Sequence, residues 1–167
     1  MKNVEMHYLN KKELPPMLPV LFCVLHTNMS EIAPTNHSYE EDFAIWSKHI
    51  LSSMQAKNRQ IVLMYVDIEF AGYFQYSINT ETGTMLMGEM EIKKEFQGRG
   101  LLSSCFKWLI PKLPKDLKTI EAYANKNNER SQCILMHLGM VQSGENKNGN
   151  SFYYRGQYIS FYDKYSK

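Results

Sequence analysis

A chain of 167 residues, 44% hydrophobic and 22% charged, with a formal net charge of +2, is long enough to bury a full core without disulfides or metals and is most simply one domain. Its composition excludes a disordered chain, and the charge balance alone points to no class of partner. Cys23, Cys105 and Cys133 are odd in number, widely spaced and set in apolar helical contexts, which excludes a disulfide framework and a zinc site and predicts reduced core thiols. The stretch from Met17 to Leu25 is too short to cross a bilayer and is interrupted by Pro19, so no membrane partner and a cytoplasmic location are expected, for a monomer or homodimer.

Val4 to Leu9 alternates weakly and predicts a first strand. Pro15, Pro16 and Pro19 interrupt the apolar run from Leu14 to His26, so a helix is expected to begin near Pro16 or Pro19 rather than run through them. Residues 27–37 read as loop. Ser38 precedes the acidic first turn of a helix from Tyr39 to Lys57, whose apolar face is Phe43, Ile45, Trp46, His49, Ile50 and Met54, with His49 expected as a packed core residue. Ile61 to Val66, Phe70 to Ile78 and Thr84 to Ile92 then predict three strands joined by short turns into an antiparallel meander.

The stretch Glu95 to Ile110, EFQGRGLLSSCFKWLI, joins the third of these strands to a helix. Gly98 and Gly100 remove Cβ atoms where a ligand would approach the backbone, and Leu101, Leu102, Cys105, Phe106, Leu109 and Ile110 recur at helical spacing, so the helix is expected to start near Gly98. A helix N-terminus leaves N–H groups without intrahelical partners and carries partial positive charge, which suits a phosphate or pyrophosphate; Arg99 adds a full charge. From Lys93 to Lys118 seven basic residues face only Glu95 and Asp116. After Pro111 and Pro114 a short strand, Thr119 to Ala124, must run parallel to the strand before the helix. Asn128 and Ser131 open another helix, with Ser131, Ile134, Leu135 and Leu138 on an inward face and Gly139 as its stop. Met140 to Ser143 and Ser151 to Tyr162 predict a final strand pair.

Gln97-Gly98-Arg99-Gly100-Leu101-Leu102 resembles the (Arg/Gln)-x-x-Gly-x-(Gly/Ala) loop of the GNAT superfamily of N-acetyltransferases, with Leu102 at the position that prefers Gly or Ala. Asn128-x-x-Ser131, followed by Ile134 to Met140, resembles a second GNAT element, with Met140 in place of the usual Phe. The Ser variant is most similar to the branch that acetylates N-termini of ribosomal proteins and its close relatives. The resemblance spans Ile61 to Tyr162. It implies an α/β (α+β) fold with a mixed, mostly antiparallel sheet of about six or seven strands flanked by helices on both faces. It also implies acetyl transfer from acetyl-CoA to a primary amine, on a small molecule or a protein N-terminus, in a ternary complex without a metal. The cofactor-binding residues it implies are Ile92, Lys93, Gln97, Gly98, Arg99, Gly100, Leu101, Leu102, Asn128 and Ser131.

An amine attacks a thioester only when neutral, so a base must take its proton. Glu89 and Glu91 share a strand face by its period of two and are the candidate bases, ahead of Glu121 and Tyr123. Leu135 stands where many members of the family carry a Tyr that protonates the leaving thiolate, so Ser131 is the candidate for that role. Two other readings differ in class. A dinucleotide site at Gly98-x-Gly100-x-x-Ser103 lacks the third glycine. A GNAT-fold regulatory or interaction module would bind CoA with little or no catalysis. The Tyr-rich C-terminus lacks a basic stripe, so nucleic acid is not expected as a partner.

Overall fold

The computed structural model describes residues 3–56 and 58–167. In chain order the elements are β1 (Val4–Tyr8), α1 (Leu14–Met29), α2 (Tyr39–Ala56), β2 (Arg59–Val66), β3 (Glu69–Asn79), β4 (Thr84–Ile92), α3 (Leu101–Leu109), β5 (Thr119–Asn125), α4 (Glu129–His137), β6 (Val141–Glu145), β7 (Ser151–Gln157) and α5 (Tyr158–Tyr165). The seven strands form one sheet in the order β1-β2-β3-β4-β5-β7-β6. Pairing is antiparallel for β1 with β2, β5 with β7 and β6 with β7, and parallel for β4 with β5. The mixed, mostly antiparallel sheet expected from the sequence is therefore present. The expected end of the second helix at Lys57 lies outside the described residues.

The chain divides into two compact units, one of residues 1–75 and 89–101, the other of residues 76–88 and 102–167. In the first, Leu14, Leu18, Leu21 and Phe22 of α1 and Trp46 and Ile50 of α2 bury themselves with Ile61, Leu63 and Tyr73 of β2 and β3. A reciprocal side-chain box closes the turn before α1, and another opens α2. Asn10 accepts from the Glu13 N–H while Glu13 accepts from the Asn10 N–H, and Ser38 and Glu41 do the same; such a box satisfies two orphan donors at once. In the second unit Phe106 of α3 meets Phe161 and Tyr165 of α5 at ring distances of 5.1 and 5.3 Å.

Three sequence expectations are corrected here. The first helix begins at Leu14 and continues through Pro19. Pro15 and Pro16 occupy its first turn, where an N–H has no intrahelical partner, so only Pro19 removes a helical hydrogen bond, and burial of five α1 side chains offsets that loss. The last strand ends at Gln157, and Tyr158 to Tyr165 is a helix. Its buried residues Tyr158, Phe161 and Tyr165 follow helical spacing, and packing on Phe106 decides between that spacing and the alternation of the preceding strand. Finally, Cys23 and Cys133 are exposed and only Cys105 is buried. Helical rotation turns Cys23 outward between buried Phe22 and Val24, whereas burial pushes the Cys105 thiol up to about 12.

Within the first unit β3 approaches the end of β4 unusually closely. A Cβ on Gly72 would lie 2.3 Å from the Glu91 carbonyl oxygen and 2.9 Å from the Ile92 Cα, and both obstacles are backbone. Gly72→Ala is therefore expected to lower stability by about 1–3 kcal/mol, the usual range for overpacking. Denaturant unfolding, with the slope of the transition compared with wild type, checks this.

Candidate functional site

β4 brings two carboxylates onto one face, and helices reach down to both. Glu89 Oε1 accepts from the Trp46 indole N–H at 2.8 Å; Oε2 accepts from the Tyr73 hydroxyl at 2.7 Å and the Gln75 amide at 2.6 Å. Gln75, itself fully buried, uses its Oε1 to accept from Arg59 at 2.9 Å. A chain of donors thus runs from a guanidinium through an amide to the carboxylate. Burial raises the Glu89 carboxyl, opposed by the Trp46 and Tyr73 hydrogen bonds and by Arg59 and His49. Burial, followed by the Glu89 charge, holds the Tyr73 phenol well above its ordinary value, so it stays a donor.

Glu91 is held differently. Asn28, near the end of α1, donates to its Oε2 at 2.7 Å and to the Ile92 carbonyl at 3.0 Å. The Gln97 amide also donates to the Ile92 carbonyl, at 2.8 Å. Burial is the largest influence on Glu91; with the neighbouring Glu89 charge, and against the Asn28 hydrogen bond, it carries the carboxyl up to about 8. Burial raises both carboxyls, and Glu91 is the one held by fewer side-chain donors.

The glycine turn follows directly. Lys93 donates its N–H to the Ala71 carbonyl at 2.9 Å and its ammonium sits 3.5 Å from Glu69. A 3-10 turn over Lys94–Phe96 precedes Gly98 and Gly100, both at φ +75° with open space where a Cβ would stand. These glycines are required by the left-handed backbone rather than by crowding, at a cost of about 1–2 kcal/mol for any other residue. The helix opens at Leu101, three residues later than expected, because both glycines lie outside helical φ. Arg99 lies over the Phe96 ring at 5.5 Å, Leu101 is buried and Leu102 is half-buried.

Asn128 and Ser131 belong to the second unit, where Asn128 Oδ1 accepts from the Ser131 N–H at 3.1 Å and caps α4. Ser131 is half-buried on the turn that leads to buried Leu135 and Leu138. Glu121 and Tyr123 are in that unit as well: Glu121 lies 3.8 Å from the Arg155 Nε, and exposed Tyr123 packs on Tyr153 at 5.2 Å. The parallel register of β4 with β5 runs from Thr84↔Thr119 to Met87↔Ala122 and ends there. Within the first unit, Glu89 and Glu91 are thus brought together with Ile92 and Gln97.

Sequence reasoning missed Asn28, Tyr73, Gln75 and Arg59. Gln75, a polar residue two places from Tyr73 inside an apolar strand, was the available signal; Asn28 fell in a stretch read as loop and offered none. His49, expected in the core, is exposed, because α2 buries a narrower stripe formed by Trp46, Ile50 and Ser53. Among the described residues no group of three or more His, Cys, Asp or Glu side chains is placed to hold a metal ion, and no helix is long and apolar enough to cross a membrane.

No protein-family model matches the sequence, and no curated protein matches it. Solved structures do share the fold. An acetyltransferase from Thermus thermophilus aligns with a TM-score of 0.70 at 14% identity, over 93% of this chain and 97% of the other. The PaiA N-acetyltransferase from Thermoplasma acidophilum, in complex with coenzyme A, aligns at 0.67 and 15% identity, over 93% and 99%. A spermidine N-acetyltransferase chimera from Vibrio cholerae and hSSAT aligns at 0.63 and 16% identity, over 95% and 97%. The chain therefore has the fold of GNAT acetyltransferases, at identities where the likeness is one of fold.

The raised Glu91 carboxyl has a consequence for stability. In the folded state it binds its proton more tightly than the ordinary 4.5, so its contribution is fully present below that value and is lost as pH rises through about 8. Glu91→Gln is expected to flatten the fall in unfolding free energy across that window, measured by denaturant titration at a series of pH values.

Proposed function

We propose that this chain transfers the acetyl group of acetyl-CoA to a primary amine, of a small molecule or a protein N-terminus, by direct attack in a ternary complex, with Glu91 as general base. The observation that carries this reading is the pair of unlike carboxylates on β4. Glu89 is fixed by three side-chain donors, and Glu91 by Asn28 with a carboxyl near 8. An alkylammonium has a pKa of about 10, so transfer to Glu91 is uphill by about two units or ~3 kcal/mol, against ~8 kcal/mol for an ordinary carboxylate. Glu89 acts as a positioning residue whose charge helps keep the Glu91 proton affinity high.

The GNAT resemblance of the glycine turn supports acetyl-CoA as the co-substrate, and the open space in front of Gly98 and Gly100 fits it. The diphosphate would take the N–H groups of Gly98 to Leu102, with Arg99 alongside. The pantetheine arm would add along β4 beyond Met87, where its register with β5 has ended. In the reaction the amine nitrogen bonds to the thioester carbonyl carbon, Glu91 receives the nitrogen's proton, and the C–S bond breaks to release the thiolate of CoA, for which the GNAT resemblance of Asn128-x-x-Ser131 makes the Ser131 hydroxyl the candidate hydrogen-bond donor. Asn128-x-x-Ser131 is the feature that keeps the ribosomal N-terminal branch among the candidates. Leu135, buried where many GNAT enzymes carry the thiolate-protonating Tyr, favours one second reading, a CoA-binding module without turnover; steady release of CoA with any amine separates the two.

Gly100→Val is expected to abolish CoA binding in calorimetry while thermal unfolding stays cooperative, and unchanged affinity in the folded variant contradicts the site. Glu91→Gln is expected to lower kcat/KM near neutrality by about 10²–10⁴-fold, the usual contribution of a general base. Activity should return in part at alkaline pH, where solvent supplies neutral amine, whereas wild type gains activity as pH rises towards about 8. Ser131→Ala is expected to reduce kcat more than CoA affinity, by up to about 3 kcal/mol of barrier.

A further inference from the structure

We infer that Arg59, acting through the side chain of Gln75, decides which of the two β4 carboxylates carries the negative charge: it fixes Glu89 as the anion and leaves Glu91 to exchange a proton. Arg59 is then a positioning residue for the base, and in that role the inference rests on the proposed acetyl transfer. All the residues concerned lie in the first unit. β2, β3 and β4 are neighbours in the sheet, and the relay crosses them one strand at a time. Arg59 Nη1 donates to Gln75 Oε1 at 2.9 Å, and Gln75 Nε2 donates to Glu89 Oε2 at 2.6 Å. Gln75 is 0% exposed, so bulk water competes for neither end of the amide. Tyr73, two residues earlier on the same strand face, gives its hydroxyl to the same Glu89 oxygen at 2.7 Å.

The amide is the element with two states. A glutamine can turn either its oxygen or its NH2 towards a neighbour, but a guanidinium has donors only, so Arg59 takes the oxygen and sends the NH2 to Glu89. That orientation suits an ionised carboxylate, which only accepts. Reversed, the amide would offer its oxygen to Glu89 and match the protonated carboxyl, which has an O–H to give. The Trp46 indole donates to the other oxygen at 2.8 Å, so with Arg59 in place each oxygen of Glu89 faces a fixed N–H donor. The titratable and charged groups that act on Glu89 are Arg59 from β2, Tyr73 from β3, His49 from α2 and Glu91 from its own strand, while α1 brings the neutral amide of Asn28 to Glu91. Of these, Arg59 alone is a permanent cation. Its Nε is buried without a hydrogen-bond partner, a cost to folding that an apolar side chain at this place would avoid. The Glu89 charge in turn adds to the burial that raises the Glu91 carboxyl.

The test follows the side-chain carboxyl carbons of both residues by NMR over a pH series, in the full chain without substrate, with the signals assigned by their loss in Glu89→Gln and Glu91→Gln. In wild type Glu89 is expected to ionise first and Glu91 near 8. Arg59→Met is expected to raise the Glu89 midpoint by about one unit, within the range that a nearby opposite charge supplies, and to lower that of Glu91, which loses the neighbouring anion. In a Gln75→Met background Arg59→Met is expected to add little, because the relay is already cut, whereas a charge acting through space alone shifts both backgrounds equally. Arg59→Gln, which removes the charge and keeps a polar side chain, is expected to move both midpoints in the same directions and serves should Arg59→Met fail to fold. An unmoved Glu89 midpoint in the folded Arg59 variant, or an equal shift with and without Gln75, overturns the inference. In turnover, the rise of kcat/KM with pH is expected to begin at lower pH in Arg59→Met than in wild type, with CoA affinity unchanged. Displaced titrations in a chain that acetylates no amine uphold the relay and refute acetyl transfer, whereas acetylation with unmoved titrations refutes the relay alone.

Discussion

Two hydrogen bonds from helices to one strand hold the candidate site of the first unit together: the Trp46 indole to Glu89 and the Asn28 amide to Glu91. Carboxylates withdrawn from water are costly unless donors replace the lost hydration, and a hydrogen bond to a charged group contributes about 1.5–3 kcal/mol. Trp46, Tyr73 and Gln75 meet that requirement for Glu89. Glu91 has Asn28 as a side-chain donor, and burial carries its carboxyl up to about 8. A carboxyl at that value becomes free to accept a proton as pH rises towards 8.

Constraints on the backbone follow the same pattern. Gly72 lets β3 press against the Glu91 and Ile92 backbone, and the Ile92 carbonyl gathers the amides of Asn28 and Gln97. Gln97 therefore joins the carboxylate face to the start of the glycine turn. Beyond it, Gly98 and Gly100 adopt a conformation that other residues reach only at a cost, and the turn leaves its front open. A buried carboxylate and a turn with open space before both glycines so lie within about ten residues of one strand-turn segment.

Much of this frame could be read from the sequence because it is local. The period of two places Glu89 and Glu91 together, the turn residues separate β2, β3 and β4, and the glycines mark the turn before α3. What could not be read depends on contacts distant along the chain. Asn28 and Trp46 lie 63 and 43 positions from the carboxylates they serve, and no local pattern announces such a partner. Competing local signals explain the remaining differences. The prolines of α1 read as breakers although two of them fall in the first turn, and the tyrosines of α5 alternate like a strand while Tyr158, Phe161 and Tyr165 also keep helical spacing. In both places tertiary packing selects the helix. His49 and Ile45 looked like core because α2 is apolar around more of its circumference than it buries.

The central claim is that burial turns Glu91 into a base that works near neutrality. Its most direct test is the titration of the Glu91 side-chain carboxyl carbon by NMR in the folded protein, with the signal assigned by its loss in Glu91→Gln. The account predicts a midpoint near 8. A midpoint at the ordinary carboxyl value of 4.5 would contradict it.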